Sequence, residues 1–91
     1  MRLVWTAAAR GDLVRLHDFL EPANARAADR AVDMLYEAAQ RLPPFPRMGS
    51  RLEAFDPREV RRLIVGDYEL RYEIQGEVLF VLRIWHGRED R

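Results

Sequence analysis

The chain has no cysteine, no lysine, few glycines and no long apolar run among its 91 residues. Each absence removes a class of protein. Without cysteine there are no disulfides and no thiolate zinc sites, as expected of a protein in a reducing cytoplasm. A membrane helix needs about 20 consecutive apolar residues, and nothing here comes close. The opening Met1-Arg2-Leu3-Val4-Trp5 lacks the shape of a signal peptide. Also missing are a glycine-rich phosphate loop, metal-ligand spacing and a Gly-x-Ser-x-Gly elbow, so no cofactor and no metal is expected. Nor is there an excess of charge: 15 arginines face 15 acids. A protein that grips long nucleic acid through its phosphates carries a net basic field. This reading predicts a single cytoplasmic domain over residues 1–91, with no membrane contact and no direct hold on DNA.

What is present is clearest in the last third. Tyr68, Leu70, Tyr72 and Ile74 alternate with Glu69, Arg71 and Glu73, the pattern of a strand with one buried and one charged face. Gly66-Asp67 and Gln75-Gly76-Glu77 flank it as turns, which makes an antiparallel meander with the segments on either side. Val78-Leu79-Phe80-Val81-Leu82 is apolar on both faces and reads as the central, most buried strand. Trp85-His86-Gly87-Arg88-Glu89-Asp90-Arg91 then hangs from its end as a polar tail. That tail carries little apolar content and contains a flexible glycine, Gly87, so it reads as a projecting, target-facing element comprising Trp85, His86, Arg88, Glu89, Asp90 and Arg91.

The first half is helical. Arg2-Leu3-Val4-Trp5 is a short strand that joins the later sheet, and Thr6 is an N-cap. A helix follows over about 7–20, with Ala9, Leu13, Leu16 and Leu20 on one stripe and Asp12, Arg15 and Asp18 facing water. Asn24 caps a second helix that runs to about Leu42 on the stripe Ala28, Val32, Leu35, Ala39, Leu42. Its alanine-lined flank is the contact with the first helix, and the short loop makes an antiparallel hairpin. Phe45, Leu52 and Phe55 are expected to pin the connection that follows. The fold is therefore α+β, in the order β-α-α-β-β-β, with an antiparallel sheet packed against an N-terminal helical hairpin. The outer part of the hairpin, through Leu13, Leu16, Leu20, Met34 and Leu35, is the surface expected to receive a partner.

Candidate chemistry is sparse. His17 lies mid-helix among charges and reads as a surface histidine, whereas His86 stands near Arg83 and Arg88 at a strand end. A histidine beside arginines is the composition of an acid–base pair with a phosphate clamp. Arg58, Arg61 and Arg62 are expected to form cross-strand ion pairs with Glu59, Glu69 and Glu73.

Four segments together resemble the RelE/ParE superfamily, the toxins of type II toxin–antitoxin modules. They are Trp5-Thr6-Ala7-Ala8-Ala9-Arg10, Leu42-Pro43-Pro44-Phe45-Pro46-Arg47-Met48-Gly49, Arg61 through Tyr72, and the ending Val81-Leu82-Arg83-Ile84-Trp85-His86-Gly87-Arg88-Glu89-Asp90. The resemblance implies a cytoplasmic toxin neutralised in a hetero-oligomer by a cognate antitoxin with a ribbon-helix-helix DNA-binding domain, through which alone it would meet DNA. Members of the RelE-like branch are ribosome-dependent RNases. Of their basic positions, two fall on Arg62 and Arg88, while others fall on Val60 and Glu69, and the late tyrosine has no counterpart. An RNase reading therefore rests on Arg62, Arg83, His86 and Arg88. The ParE-like branch, non-catalytic inhibitors of DNA gyrase, is the better match.

Overall fold

The computed structural model describes residues 1–89. Its elements are β1 (Arg2–Trp5), α1 (Ala7–Leu20), α2 (Ala25–Gln40), β2 (Ser50–Arg51), a 3-10 turn (Glu53–Phe55), β3 (Glu59–Val65), β4 (Tyr68–Gln75) and β5 (Val78–His86). The two helices lie on one face of a five-stranded sheet ordered β1-β5-β4-β3-β2. This is the α+β arrangement expected from the sequence, with one more strand, the short edge strand β2.

Local chemistry sets the helix limits. The Thr6 hydroxyl accepts from Ala9 N at 3.1 Å, and Asn24 Oδ1 accepts from Ala27 N at 3.0 Å, so each helix starts on a side-chain cap. α2 stops at Gln40 rather than Leu42, because Arg41 and Leu42 already bond back only three residues, to Ala38 and Ala39. Thr6 also donates to Val81 O at 2.7 Å, which ties the start of α1 to β5. Replacing Thr6 by Val keeps the shape and removes both bonds, and is expected to lower stability by about 1–2 kcal/mol in a urea titration.

The sheet departs from expectation in three ways. β1 pairs with β5 in parallel, Arg2 opposite Val78 through Trp5 opposite Val81, so the sheet is mixed. The central and most buried strand is β4, not β5, for a reason that lies on the face away from the helices. There Glu69 and Glu73 are covered by arginines and by the 3-10 turn, whereas Val78, Phe80 and Leu82 of β5 have no layer above them and stay half-exposed. Finally, a bulge after Arg71 sets Arg71 against Arg83 but Tyr72 against Val81, leaving Leu82 without a partner residue.

The core lies between α1, α2 and the sheet: Leu16, Leu35, Leu42, Leu70, Tyr72, Leu79, Val81 and Ile84 are buried within it. Gly66 and Gly76 take φ of +59° and +57°, the left-handed turns expected of them. Phe45 does not pin the long connection; it is 66% exposed. The Tyr72 hydroxyl holds that segment instead, donating to Pro46 O at 2.7 Å and accepting from Gly49 N at 2.9 Å.

Candidate functional site

β1 ends opposite Val81, so the outer edge of β5 from Leu82 to His86 has no neighbouring strand. Strand-edge groups need partners, and here side chains supply them. Thr6 Oγ1 lies 2.7 Å from Val81 O and 3.2 Å from Leu82 O. Asp12 Oδ2 accepts from Ile84 N at 2.8 Å, and Arg15 Nη2 donates to Ile84 O at 3.0 Å. One further along, Glu89 Oε1 accepts from His86 N at 2.7 Å. Asp12, expected to face water, is thus 4% exposed and stands in for a missing strand. Its carboxylate also receives Arg83 at 2.9 and 3.1 Å and Arg15 at 3.3 Å. Burial alone would raise its pKa, but Arg83, Ile84 N–H and Arg15 together hold it below the ordinary value of 3.8.

On the face away from the helices, Arg62, Arg71 and Arg83 stand side by side across β3, β4 and β5. Like charges directly opposite one another destabilise a sheet, so each needs relief. Arg71 finds it between two rings, 4.5 Å from the Trp85 centroid and 5.3 Å from that of Phe55, with Nη2 3.1 Å from Glu69 Oε2. Arg83 lies 5.4 Å from the Trp85 ring on its way to Asp12. Arg62 approaches Glu69 at 3.8 Å. Nearby, Arg58 grips Glu73 with two bonds of 2.7 and 3.1 Å, and Arg61 pairs with Glu59 at 2.9 Å on its own strand. The expected ion pairs are there, although the Arg61–Glu59 pair runs along one strand rather than across two.

On the helix side of the same strand end lies a cleft of about 500 Å³ between α1 and the β4–β5 termini. Leu16, Leu20 and Tyr68 form its floor, Phe19 its lip, and Arg15, His86, Arg88 and Glu89 its polar rim. The His86 ring stands edge-on to Tyr68, with centroids 5.2 Å apart. The tail does not project as expected. Gly87 N donates to Asp67 O at 2.7 Å, Arg88 N donates to His86 Nδ1 at 3.1 Å, and Glu89 forms an ion pair with Arg15 of α1. His17, read as a free surface histidine, clips the two helices together through Asp29 at 2.8 Å. That carboxylate raises the imidazole pKa.

This geometry divides the residues singled out from sequence. Arg62 lies on the open face, Arg83 leaves that face at the edge of β5 to bind Asp12, and His86 and Arg88 line the cleft on the other side, so Arg62 stands apart from that pair and Arg83 is already engaged. Val60 and Glu69, at positions where the RNase pattern calls for basic residues, are 0% and 3% exposed. The tail set divides too: Trp85 stacks under Arg71, whereas His86, Arg88 and Glu89 rim the cleft. Asp90 and Arg91 lie outside the described residues. Within the hairpin set, Leu16 and Leu35 are core residues, 2% and 0% exposed; Leu35 is closed to a partner, and Leu16 is accessible only as part of the cleft floor. Leu13 and Leu20 are half-buried and Met34 is exposed. Helical periodicity identifies the stripe facing the core, which is why it selected those leucines; the side chains left for a partner on α1 are Val14 and Phe19. Asp12, Arg15, Phe19 and Arg71 were missed. No local signal marks Asp12, because its partner Ile84 is 72 positions away. Among the described residues no group of three histidines or carboxylates could hold a metal ion, and no helix is long and apolar enough to cross a membrane.

Comparison with known proteins agrees with this architecture. Residues 3–91 match the family described as the ParE toxin of the type II toxin–antitoxin system parDE. Toxin RelE2 of Caulobacter vibrioides is 32% identical over 86 residues, covering 94% of each chain. Toxin ParE3 of the same organism is 30% identical over 88 residues, covering 96% of this chain and 87% of its own. A chain from the chromosomal ParDE system of P. aeruginosa superimposes with a TM-score of 0.80 at 25% identity, covering 94% of this chain and 95% of that one. With its order of elements, its mixed sheet and its matched length, the chain belongs to the ParE family of type II toxin–antitoxin toxins.

Proposed function

We propose that this toxin arrests growth by binding its target rather than by cleaving RNA, and that the target is DNA gyrase. The observation that carries the reading is the separation of Arg62, on the open face, from His86 and Arg88 on the cleft side, with Arg83 committed to Asp12 at the edge of β5. General acid–base cleavage needs its donor, acceptor and phosphate clamp within hydrogen-bond reach of one substrate. On the open face the arginines have carboxylates and rings as neighbours, and His86 is turned toward Tyr68. The toxin works in the cytoplasm and is held inactive in a hetero-oligomer by an antitoxin with a ribbon-helix-helix domain. A segment of that antitoxin, disordered when free, folds along α1 and α2, where Val14, Phe19 and Met34 are exposed. Trp85, His86, Arg88 and the residues that follow form the target-facing end.

In cells induced for the toxin, the expected result is a DNA-damage response and filamentation with bulk mRNA intact. Primer extension on a reporter transcript checks it. Discrete new 5′ ends within codons would establish the RNase reading and overturn this one.

A further inference from the structure

Glu89 does two things that a ligand's carboxylate would do. It accepts from the His86 backbone N–H at 2.7 Å and forms an ion pair with Arg15. A strand-end N–H beside a guanidinium is a receptor for one carboxylate. Glu89 reaches it from a turn only three residues away, so it can leave by rotation of that turn without disturbing β5. Behind it opens the apolar floor of Leu16, Leu20 and Tyr68, with Phe19 at the lip, 80% exposed. An aromatic ring left in water at the mouth of an apolar cleft is a contact that a partner completes.

We infer that this cleft is a socket for one carboxylate and one neighbouring bulky apolar side chain of the antitoxin segment, and that Glu89 occupies the carboxylate position in the free toxin. The inference rests on the antitoxin reading above and deepens it. Charge selects the occupant: with Glu89 already engaged, the rim still presents Arg88 and His86, and among the described residues no second acid lines the cleft. Size selects it too. About 500 Å³ takes a few side chains of an extended segment and not the face of a folded domain. The incoming carboxylate exchanges with Glu89 at Arg15 and His86 N–H, its apolar neighbour covers Phe19, and the displaced turn carries Arg88 out of its free position. Occupation of the socket and disturbance of the target-facing end are then one event.

The test is calorimetric titration of the purified antitoxin, encoded beside the toxin gene, into wild-type toxin and two variants. Glu89→Ala removes the internal competitor and is expected to tighten binding about two- to fivefold, the scale of an exposed ion pair. Phe19→Asp is expected to weaken it at least about tenfold. Phe19 is mostly exposed, so the variant should melt with the wild type; if it melts early, Phe19→Ser replaces it. Glu89→Ala binding that is unchanged or weaker overturns the stand-in role, and Phe19 variants that bind normally overturn the cleft. Toxin that self-associates alone, and ceases to do so on Phe19→Asp, assigns the cleft to a second copy and overturns the inference. Antitoxin that fails to bind wild-type toxin overturns the antitoxin reading itself, which separates that failure from the others.

Discussion

Asp12→Ala is expected to lower the thermal unfolding midpoint by about 10–20 °C. For a domain of this size about 1 kcal/mol corresponds to 4–8 °C, and the substitution removes about 2–3 kcal/mol. It leaves the buried Ile84 N–H without an acceptor and takes the shared carboxylate from Arg83 and Arg15. Both arginines are about half solvated, with side chains 46% and 41% exposed, which keeps the figure below that of a fully buried pair. Asp12→Asn preserves an acceptor for Ile84 and should lose roughly half as much. The pH dependence follows from the lowered pKa. The carboxyl is ionised more readily in the folded state, so its contribution is complete above the unfolded value near 3.8 and fades as pH falls through the lower folded value. Wild type and Asp12→Asn should therefore lie a constant interval apart above about pH 4 and converge as the pH falls below it. Thermal melts across that range measure it; curves that stay parallel would mean that the charge of Asp12 contributes nothing.

The second large effect is expected in cells. Deleting residues 88–91 should abolish growth inhibition while the protein still folds and still binds antitoxin. The cut spares His86, the last residue of β5, and its packing against Tyr68. What it removes from the described structure is Arg88 and the exposed Glu89 contacts, worth about 0–1 kcal/mol each. Arg88 is a planar multi-donor group at the strand end, suited to a carboxylate or phosphate on a target. Colony counts after induction and pull-downs with the antitoxin check the two halves separately. Retained toxicity would move the working end elsewhere, to the open face of the sheet. Lost antitoxin binding in a protein that still melts cooperatively would mean that the antitoxin grips the tail itself.

The elements readable in the sequence were those written in local chemistry. Thr6 and Asn24 cap through atoms three residues away, Gly66 and Gly76 turn by their own φ, and β4 announces itself by alternation. What escaped reading depends on distant complements. Nothing in Arg2–Trp5 states that its partner is β5 or that the pairing is parallel, and nothing near Asp12 predicts Ile84. β5 looked more buried than β4 because apolar composition was read as depth. Its extra apolar residues in fact lie on an uncovered face, while the acids of β4 lie beneath arginines. The functional site suffered most, since alternation separates Trp85 from His86 by a full sheet thickness although they are adjacent in the chain.

The parallel pairing of β1 with β5 also bears on how the toxin is made. Thr6 bonds to Val81, 75 positions later, so the first strand of the sheet and the start of α1 wait on a stretch synthesised well after them. The helical hairpin emerges early, but the strand that anchors both its entry and the edge of the sheet follows β2, β3 and β4. A ribosome adding about 5–20 residues per second therefore leaves several seconds between the synthesis of the hairpin and that of β5. During that interval neither the cleft, which needs Tyr68, His86 and Glu89, nor the strand end bearing Arg88 exists. On the reading proposed above, the surface that meets the antitoxin and the end that meets the target are therefore completed in the same step.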